Sequence, residues 1–580
     1  MKHFIRTYIP TLVSAVLLAW SFPSYHFYFL AWIALVPLLL RTAPLKPAQA
    51  ALHFYICGHL FHTLTLQWLI ANIFWAGGWA IIGQQGLCII LSLFWALTGF
   101  LWSLAHSRSQ RLGGALCFAG LWAGMELLQS MAFTGFGWCA LGYTQGANLF
   151  IAQWAALGGV MLLSFLIVWV NACLALSIGS AELRIRRLVT VAVLALCIPA
   201  VGYFLLGEAD DSSMPLRACV VQPNFSQEMK WDPAYDYEML QRTAQMTRIF
   251  TANYPVDLIV WPEALVIRNF ESPLFLDTLA LTAKDCQAAI LSGVVREDYS
   301  SGKNYNTAAL IKPDGKIGGY YDKVRLAAFG EYIPFEKYLP FLKDIAFGGV
   351  DAGEKQLLLP VDKRQLGPLI CFEVLFAPMA EELRRMGADT LVVMTNLAWF
   401  GRSNAIAQEL EIARMRAIET RLPLIHSTNT GISGVFDPYG RFSVVRHTIS
   451  SSNVVQDWGA ATKPHHVMMR RYIGNFAVPA PALQPIPRGA AIVPWLLPLV
   501  GLLLFFFTFF ERSLSQALSG AYALPEEVPP KKATAKAKAK AAPKKSAASK
   551  KSASAKSGAK SPAKPRQRKT KAADTDPDSE

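Results

Sequence analysis

The sequence has few charged residues and long apolar runs. Charged side chains make up 16% of its 580 residues and hydrophobic ones 53%, whereas soluble domains carry about 25% charged residues. Acidic residues are scarce over the first 207 residues in particular. This shortage excludes an ordinary soluble protein and predicts a polytopic α-helical membrane protein with more than one domain.

Metal-binding patterns are also missing. None of the nine cysteines forms a CxxC pair or a Cys/His cluster with the spacing of a zinc site. A glycine-rich phosphate-binding loop is not evident either. We therefore expect no metal and no cofactor. Six cysteines lie in or beside apolar stretches, where a thiol behaves as a small hydrophobic side chain, and Cys219, Cys286 and Cys371 lie in a more polar region.

Positive charge is concentrated at the C-terminal end. Residues 531–580 contain 16 of the 55 basic residues and 4 of the 40 acidic ones, so this Lys/Ala-rich tail accounts for most of the +15 net charge. The rest of the chain gives no electrostatic reason to expect nucleic-acid binding. The tail lacks large apolar side chains and is predicted to be disordered from about residue 531. Solvation alone, an anionic membrane surface and nonspecific nucleic-acid contact remain open as its environment.

Eight apolar stretches are long enough to be candidate membrane spans. They cover residues 8–24, 26–41, 53–77, 80–104, 112–132, 149–178, 187–207 and 489–510. We therefore predict four parts of the chain: a seven-span domain over 1–207, an extramembrane domain over 208–488, a C-terminal transmembrane helix over 489–510 and a cytoplasmic tail over 511–580.

The basic residues between these stretches predict one orientation. Lys and Arg occur near the N-terminus and in the loops that follow the second, fourth and sixth spans, whereas the intervening loops have none. Cytoplasmic loops are enriched in basic residues. Both termini are therefore predicted to be cytoplasmic, and the domain over 208–488 is predicted to lie on the other side of the membrane.

Strand-like and helix-like stretches alternate over residues 216–440, which indicates an α/β domain with mixed strand pairing. The apolar run Asp257–Trp261 leads to Glu263, and Leu366–Ile370 leads to Cys371. A turn at Pro313–Gly315 joins two strand-like stretches as a hairpin. Because active residues of such sheets lie just past strand ends, Glu263 and Cys371 are candidates for a site.

Three side chains in this domain suit thiol catalysis. Cys371 lies between a predicted strand and a helix, where backbone N–H groups favour a thiolate and can bind an oxyanion. Glu263 could accept the thiol proton as a general base, and the Lys323 ammonium could stabilise negative charge. Taken singly, each residue also fits a structural role: a buried core thiol, a solvated acid at a strand end and a surface lysine.

The order and surroundings of these residues resemble the nitrilase superfamily. Its motifs are matched at Trp261–Glu263, Asp322–Lys323, Phe329–Pro334 and Ile370–Glu373. The resemblance implies an α-β-β-α sandwich with a Glu263–Lys323–Cys371 triad, which in the superfamily cleaves carbon–nitrogen bonds or transfers acyl groups.

With seven spans before this domain and one after it, the chain resembles one branch of that superfamily, the apolipoprotein N-acyltransferases. The resemblance extends from residue 1 to about residue 510. The chain departs from the family pattern at Phe372, where many members have tyrosine, and at Leu397, where an acidic residue is commoner. Further matches lie at Thr134–Gln145, Val221–Asn224, Lys230–Trp231, Asn396–Gly401 and Ala413–Ala417.

The resemblance implies a bacterial inner-membrane enzyme of lipoprotein maturation with a periplasmic catalytic domain. A phospholipid would donate an acyl chain to Cys371 as a thioester. The α-amine of a diacylglyceryl-cysteine apolipoprotein would then accept the chain, in a ping-pong scheme. Lys323 and the backbone N–H of Phe372 would stabilise the oxyanion. Glu331 and Glu373 would orient Lys323 or the acceptor amine, or serve as structural ion pairs.

Other functions remain open at this stage. Trp231 and Phe341–Val350 are candidate lids over the acyl chain or aromatic packing at the membrane surface. A membrane-tethered amidase or nitrilase with water as the acceptor would use the same triad. A transporter or channel whose extramembrane domain binds without turnover is a further alternative, although the spans contain few ionisable residues. Cys371→Ser separates these classes, because only an enzyme would lose function.

Overall fold

The structure is a computed structural model whose described residues cover most of the chain up to residue 521. They are 2–25, 27–72, 77–106, 112–179, 184–210, 215–334, 337–338, 349–450, 452–459 and 462–521. The tail predicted to be disordered lies outside them, as does most of the candidate lid over 341–350.

Most of the described residues up to Leu205 are helical, and apolar side chains predominate among them. They are α1 (Lys2–Ser21), α2 (Val36–Thr42), α3 (Pro47–Thr65), α4 (Trp79–His106), α5 (Leu112–Met131), α6 (Leu149–Ala152), α7 (Ala155–Gly179) and α8 (Arg184–Leu205). Short 3-10 helices cover Tyr28–Trp32, Gln67–Asn72 and Leu141–Gln145.

Two sheets follow. The strands are β1 (Leu216–Gln222), β2 (Leu258–Val260), β3 (Ala289–Asp298), β4 (Lys303–Ile311), β5 (Ile317–Asp322), β6 (Leu359–Val361), β7 (Arg364–Ile370), β8 (Thr390–Thr395), β9 (Leu424–Thr428), β10 (Gly434–Phe436), β11 (Phe442–Val444), β12 (His447–Ile449), β13 (Val455–Asp457) and β14 (Tyr472–Val478). The first sheet has the order β13-β12-β14-β1-β2-β3-β4-β5 and the second β11-β10-β9-β8-β7-β6. In each sheet three central strands are parallel, β1-β2-β3 in one and β7-β8-β9 in the other, and the flanking pairs are antiparallel.

The helices of this domain are α9 (Gln227–Trp231), α10 (Asp236–Asn253), α11 (Pro273–Cys286), α12 (Ala377–Met386), α13 (Ala405–Thr420) and α14 (Pro464–Val467), with 3-10 helices at Pro233–Tyr235, Cys371–Leu375 and Leu397–Phe400. The chain then enters the long helix α15 (Gly489–Ala521).

The sheets pack face to face because side chains alternate along their strands. In β1, Ala218 and Val220 belong to the apolar layer shared with the second sheet, and Cys219 and Val221 belong to the layer beneath α10 and α11. Helices α12 and α13 cover the outer face of the second sheet. The predicted α-β-β-α sandwich with mixed pairing is therefore confirmed.

The last helix packs closely on α5. A Cβ built on Gly120 would lie 2.6 Å from the Cα of Gly501, so only glycine allows the two backbones to approach this far. Small residues at such a crossing are typical of helices that associate in a membrane. The helices and both sheets form one compact unit that extends to Ser519.

Four described helices are long and apolar enough to cross a membrane. They cover Trp79–Leu104, Ala155–Ile178, Arg184–Leu205 and Gly489–Phe507. These four agree with predicted spans, and the membrane character of the chain rests on them. The other four spans stay predictions, because the described helices there do not meet the same criteria of length and composition.

Three predicted spans differ from the helices that the structure describes. The described residues of the span predicted over 26–41 form the 3-10 helix Tyr28–Trp32 and the short α2 instead of one helix. In the span predicted over 53–77, the helix α3 ends at Thr65 and the 3-10 helix Gln67–Asn72 follows. Over 149–178 the chain forms α6, which Asn148 caps by accepting from the N–H of Ile151, and then α7. Gly158 and Gly159 interrupt α7, and the positive φ of 67° at Gly159 explains the kink. A hydropathy window averages over such breaks.

Candidate active site

Glu263, Lys323 and Cys371 each follow a strand end, as the sequence predicted for Glu263 and Cys371. Glu263 lies three residues beyond β2, Lys323 directly follows β5 and Cys371 directly follows β7. Gly293 of β3 lies directly against the Glu263 backbone, where a Cβ would have no room. The fold thus brings two residues from the first sheet and one from the second to one end of the sandwich.

A buried lysine joins two carboxylates in this site. The Nζ atom of Lys323 lies 2.7 Å from Oε2 and 2.9 Å from Oε1 of Glu331, and 3.7 Å from Oε1 of Glu263. Lys323 is 1% exposed. A buried ammonium requires such partners, so Lys323 is not the surface lysine that its isolated motif allowed.

Asn306 fixes the positions of the two carboxylates, Glu263 and Glu331. Its Nδ2 donates to Oε1 of Glu263 at 2.8 Å and to Oε1 of Glu331 at 2.9 Å. Its backbone carbonyl accepts from the N–H of Lys323 at 2.8 Å. Sequence reasoning missed this residue, because an asparagine within a β-strand has no local signature of a site.

The Cys371 backbone has a left-handed conformation, with φ of 51°. This region is disfavoured for residues other than glycine and clusters at functional sites. The thiol belongs to the first turn of the 3-10 helix Cys371–Leu375.

Glu373 fixes this turn to the loop that carries Lys323. Its Oε2 accepts from the N–H of Ile370 at 2.8 Å, and its Oε1 accepts from the hydroxyl of Tyr321 at 2.7 Å. The same Oε1 accepts from the N–H groups of Val324 and Arg325 at 2.8 and 3.0 Å. Glu331 therefore binds the Lys323 ammonium directly, whereas the hydrogen bonds of Glu373 go to the surrounding backbone and to Tyr321.

Burial and neighbouring charges shift the proton affinities of the site. Burial raises the pKa of Cys371, the Glu263 charge raises it further and Lys323 opposes both. Burial also raises the pKa of Glu263, while Lys323 lowers it and Glu331 raises it. Burial disfavours the Lys323 ammonium, but the charges of Glu331 and Glu263 outweigh this and raise its pKa. The resting site therefore favours a protonated thiol beside a base that holds its proton more tightly than an exposed glutamate.

A second lysine, Lys230 of α9, reaches the same site. It is 1% exposed, and its Nζ donates to the backbone carbonyl of Glu263 at 3.1 Å. The next residue, Trp231, is 41% exposed, and its ring lies 5.8 Å from that of Trp399. The sequence motif pointed to Lys230–Trp231 as a pair, but nothing in the sequence indicated that the lysine is buried against Glu263.

Among the described residues, no group of three or more His, Cys, Asp or Glu side chains is arranged to hold a metal ion. The arrangement of a thiol, two carboxylates and an ammonium is suited to nucleophilic acyl chemistry with general acid–base assistance.

Known proteins match both halves of the chain. Residues 14–173 match the apolipoprotein N-acyltransferase N-terminal domain, and residues 217–453 match the carbon-nitrogen hydrolase domain. An apolipoprotein N-acyltransferase of Geobacter metallireducens is 34% identical over 449 residues, which cover 75% of this chain and 86% of that protein. The chain belongs to the apolipoprotein N-acyltransferase family.

Two further relatives agree. Apolipoprotein N-acyltransferases of Haemophilus influenzae and Pseudomonas putida are each 31% identical and cover 76% and 71% of this chain, and 86% and 83% of their own lengths. The predicted family is confirmed. The chain thus combines an apolipoprotein N-acyltransferase N-terminal domain with a carbon-nitrogen hydrolase domain of the nitrilase superfamily.

Hydrogen bonds join the two matched domains of the chain. Oε1 of Gln408 in α13 accepts from the indole N–H of Trp68 at 3.1 Å and from that of Trp138 at 2.7 Å. Its Nε2 donates to the Thr65 carbonyl at 3.1 Å. Buried Arg416 donates to the Tyr143 hydroxyl at 3.1 Å. The predicted match at 134–145 thus lies in this junction.

Aromatic rings extend from this junction to the thiol turn, by which we mean the 3-10 helix that begins at Cys371. Ring centroids are separated by 4.8 Å between Trp68 and Trp138, 6.4 Å between Trp138 and Phe136, and 6.5 Å between Phe136 and Phe372. We call Trp68, Trp138, Phe136 and Phe372 the aromatic row. It connects the helical domain to the residue that follows Cys371.

Proposed function

We propose that this chain transfers a fatty acyl chain from a membrane phospholipid to the α-amine of an apolipoprotein's N-terminal diacylglyceryl-cysteine. The observation that carries this proposal is the aromatic row, which joins the thiol turn to the helical domain. An enzyme that draws both substrates from a bilayer needs its nucleophile beside an apolar surface that reaches the membrane.

Cys371 acts as the nucleophile and Glu263 as the general base. Glu263 takes the proton from Sγ, and the thiolate attacks the ester carbonyl of the phospholipid. The Lys323 ammonium and the backbone N–H of Phe372 stabilise the oxyanion. The oxyanion collapses to a thioester, and the leaving alkoxide takes the proton from Glu263 to give a lysophospholipid.

The second half of the reaction repeats these steps with an amine. The α-amine of the acceptor attacks the thioester carbonyl and gives up a proton to Glu263. The tetrahedral intermediate collapses to an amide, and the leaving thiolate of Cys371 recovers the proton. Glu331 supports both halves because its contacts with Lys323 and Asn306 hold the ammonium and Glu263 in place.

The orientation follows from charge. We propose that both termini are cytoplasmic and that the domain over 208–488 is periplasmic, because the basic loops favour that arrangement. The thiol would then meet lipid substrates at the outer leaflet of the inner membrane. The sixteen basic residues over 531–580 would be on the side of the anionic inner surface.

The test is intact-mass spectrometry of the purified chain mixed with phospholipid. We expect a mass increase of one acyl group that hydroxylamine removes, that Cys371→Ala abolishes and that a diacylglyceryl-cysteine peptide discharges. Cys286→Ala is the matched control, because this thiol also lies in the α/β domain but outside the site.

Two results would contradict the proposal in different ways. Rapid discharge of the adduct by water, with none by the peptide, would identify a hydrolase. Absence of any adduct, with lipid binding intact, would remove the thioester step and favour a domain that binds without turnover.

A further inference from the structure

Lys230 is a buried cation that the proposed mechanism does not use. Its ammonium donates to the Glu263 carbonyl at 3.1 Å and is 1% exposed. A neutral donor would satisfy a carbonyl equally well, and burying an ammonium is unfavourable. Burial accordingly lowers the pKa of Lys230 to about 8, although the charges of Glu263 and Cys371 oppose this. The positive charge itself therefore calls for an explanation.

The charges around the Cys371 thiol explain why a positive charge is placed at Lys230. Besides burial, the charges of Glu263 and of Glu409 in α13 raise the pKa of Cys371, and the Lys323 ammonium lowers it. Glu409 itself lies 3.4 Å from the Nε2 of His426. Glu331 neutralises much of the Lys323 charge, because its Oε2 lies 2.7 Å from the Lys323 Nζ. A thiolate would add another negative charge beside the buried carboxylate of Glu263. Lys230 brings a second positive charge to the site.

The helix that carries Lys230 is fixed to both sheets. Gln227 accepts from the side chain of Asn396 beyond β8 at 2.9 Å, and the preceding Phe225 donates its N–H to Asn429 at 3.0 Å. Lys230 makes the contact to the first sheet through Glu263. Its ammonium is therefore held in place by α9, independently of the loop that carries Lys323.

We propose that Lys230 is a positioning residue of the thiol site, whose ammonium holds the Glu263 turn and supplies the second positive charge that lets Cys371 ionise beside the carboxylates. It acts through Glu263 and Cys371 and does not contact the lipid. The inference rests on the assignment of Cys371 as nucleophile and Glu263 as base.

Alkylation of Cys371 by iodoacetamide tests this without any lipid substrate. The full chain in detergent is alkylated over a range of pH, and peptide mass mapping separates Cys371 from the other eight cysteines. Lys230→Met removes the charge and the donor, Lys230→Gln keeps a donor without the charge, and Lys230→Arg keeps both. Lys312→Met is the control, an exposed lysine at the far end of β4.

We expect the pH midpoint of Cys371 alkylation to rise in the Met and Gln variants and to stay near that of the parent in the Arg variant. At neutral pH the rate should fall roughly tenfold, the change that one pKa unit produces. Lys312→Met should leave the profile unchanged. If Lys230→Met does not fold, Lys230→Gln against Lys230→Arg still isolates the charge.

An unchanged midpoint in the Met and Gln variants would overturn the proposal and leave Lys230 with a packing role, even if their rates were lower at every pH. A midpoint that rises equally in the Arg variant would do the same, because charge would then not be the cause. If Cys371→Ala left thioester formation from phospholipid intact, the nucleophile assignment would fall together with the proposal. Normal acyl transfer with an unchanged midpoint would overturn the inference alone.

Discussion

At the scale of single residues, the side-chain amide of Asn306 binds two carboxylates. Nδ2 of Asn306 donates to both Glu263 and Glu331, and this keeps two acids apart that would otherwise repel each other or share a proton. The amide is neutral, so it orients the acids without adding to the negative charge of the site.

Asn306→Asp should therefore impair the base. A third carboxylate beside Glu263 would raise the pKa of Glu263, so the rate of thioester formation should begin to fall at a higher pH on acidification. We expect a loss at neutral pH of about tenfold or more, since one pKa unit corresponds to a factor of ten. Single-turnover intact-mass measurements over pH test this, with the exposed Asn253→Asp as control. An unchanged acid limb would contradict the bridging role.

The opposite shift is expected for Glu331→Gln. The Glu331 charge raises the pKa of Glu263, whose burial already raises it. As the proposed base, Glu263 accepts a proton only above its pKa, so thioester formation in the parent should decline as the pH falls through a value above that of an exposed glutamate. Removing the Glu331 charge should move that limb to lower pH, by roughly one unit or less. The same pH series measures it, with the exposed Glu354→Gln unchanged.

The residues that carry chemistry differed in how far sequence could predict them. Glu263, Lys323 and Cys371 lie in local motifs, and their order along the chain pointed to them before their distances were known. Asn306 joins the site only through tertiary contacts, so no local pattern singled it out. The motif that contains Lys230 did not show that this side chain is buried against Glu263. The sequence could not show whether Glu331 or Glu373 binds Lys323, because both are acidic residues in the matched motifs.

At the scale of secondary-structure elements, Glu373 connects β5 and β7. Four groups donate to its carboxylate: the Tyr321 hydroxyl and the N–H groups of Ile370, Val324 and Arg325. Two strand ends from different sheets, one leading to Lys323 and the other to Cys371, are thereby held to one side chain.

Glu373→Gln should weaken this connection. A glutamine has one acceptor oxygen, so its amide would face buried N–H donors and leave them unpaired, at about 1–3 kcal/mol for each. We expect the unfolding temperature in detergent to fall by roughly 5 °C or more, together with slower thioester formation. Glu354→Gln serves as the exposed control. A stable variant with normal acylation would show that the carboxylate is dispensable.

Element boundaries explain why the fold was easier to predict than the spans. Strand-like stretches and turn residues such as Gly315, with φ of 82°, act over a few positions and indicated an α/β domain with mixed pairing, and the family resemblance implied the sandwich. The breaks at Thr65 and at Gly158–Gly159 depend instead on how helices pack around the junction. A window long enough to detect a span necessarily averages over them.

At the scale of the whole molecule, Gln408 attaches the catalytic sandwich to the helical domain. Gln408→Leu would leave the indole N–H groups of Trp68 and Trp138 buried without their acceptor. We expect the unfolding temperature to fall by roughly 5–10 °C, from about 1–3 kcal/mol for each unpaired group. Thioester formation from phospholipid should slow more than alkylation of Cys371, because the thiol itself is unaltered.

A control variant and a comparison of two rates distinguish loss of the Gln408 hydrogen bonds from a general loss of stability. The exposed Gln456→Leu in β13 is the matched control and should leave both rates and the unfolding temperature unchanged. Equal loss of alkylation and acylation in Gln408→Leu would mean that the junction supports the thiol site itself and not the approach of lipid to it.

The pairing of β1 with β14 bears on the order in which the protein is made. β1 pairs along its whole length with a strand about 250 residues later in the chain. At about 5–20 residues per second, a ribosome needs roughly 10–50 seconds to reach that strand. Until then one edge of β1 has no partner, and the sheet that carries Glu263 is unfinished. We therefore expect the sheet that carries Glu263 to be completed only after β14 has been synthesised, about 100 residues later than β7, which leads to Cys371.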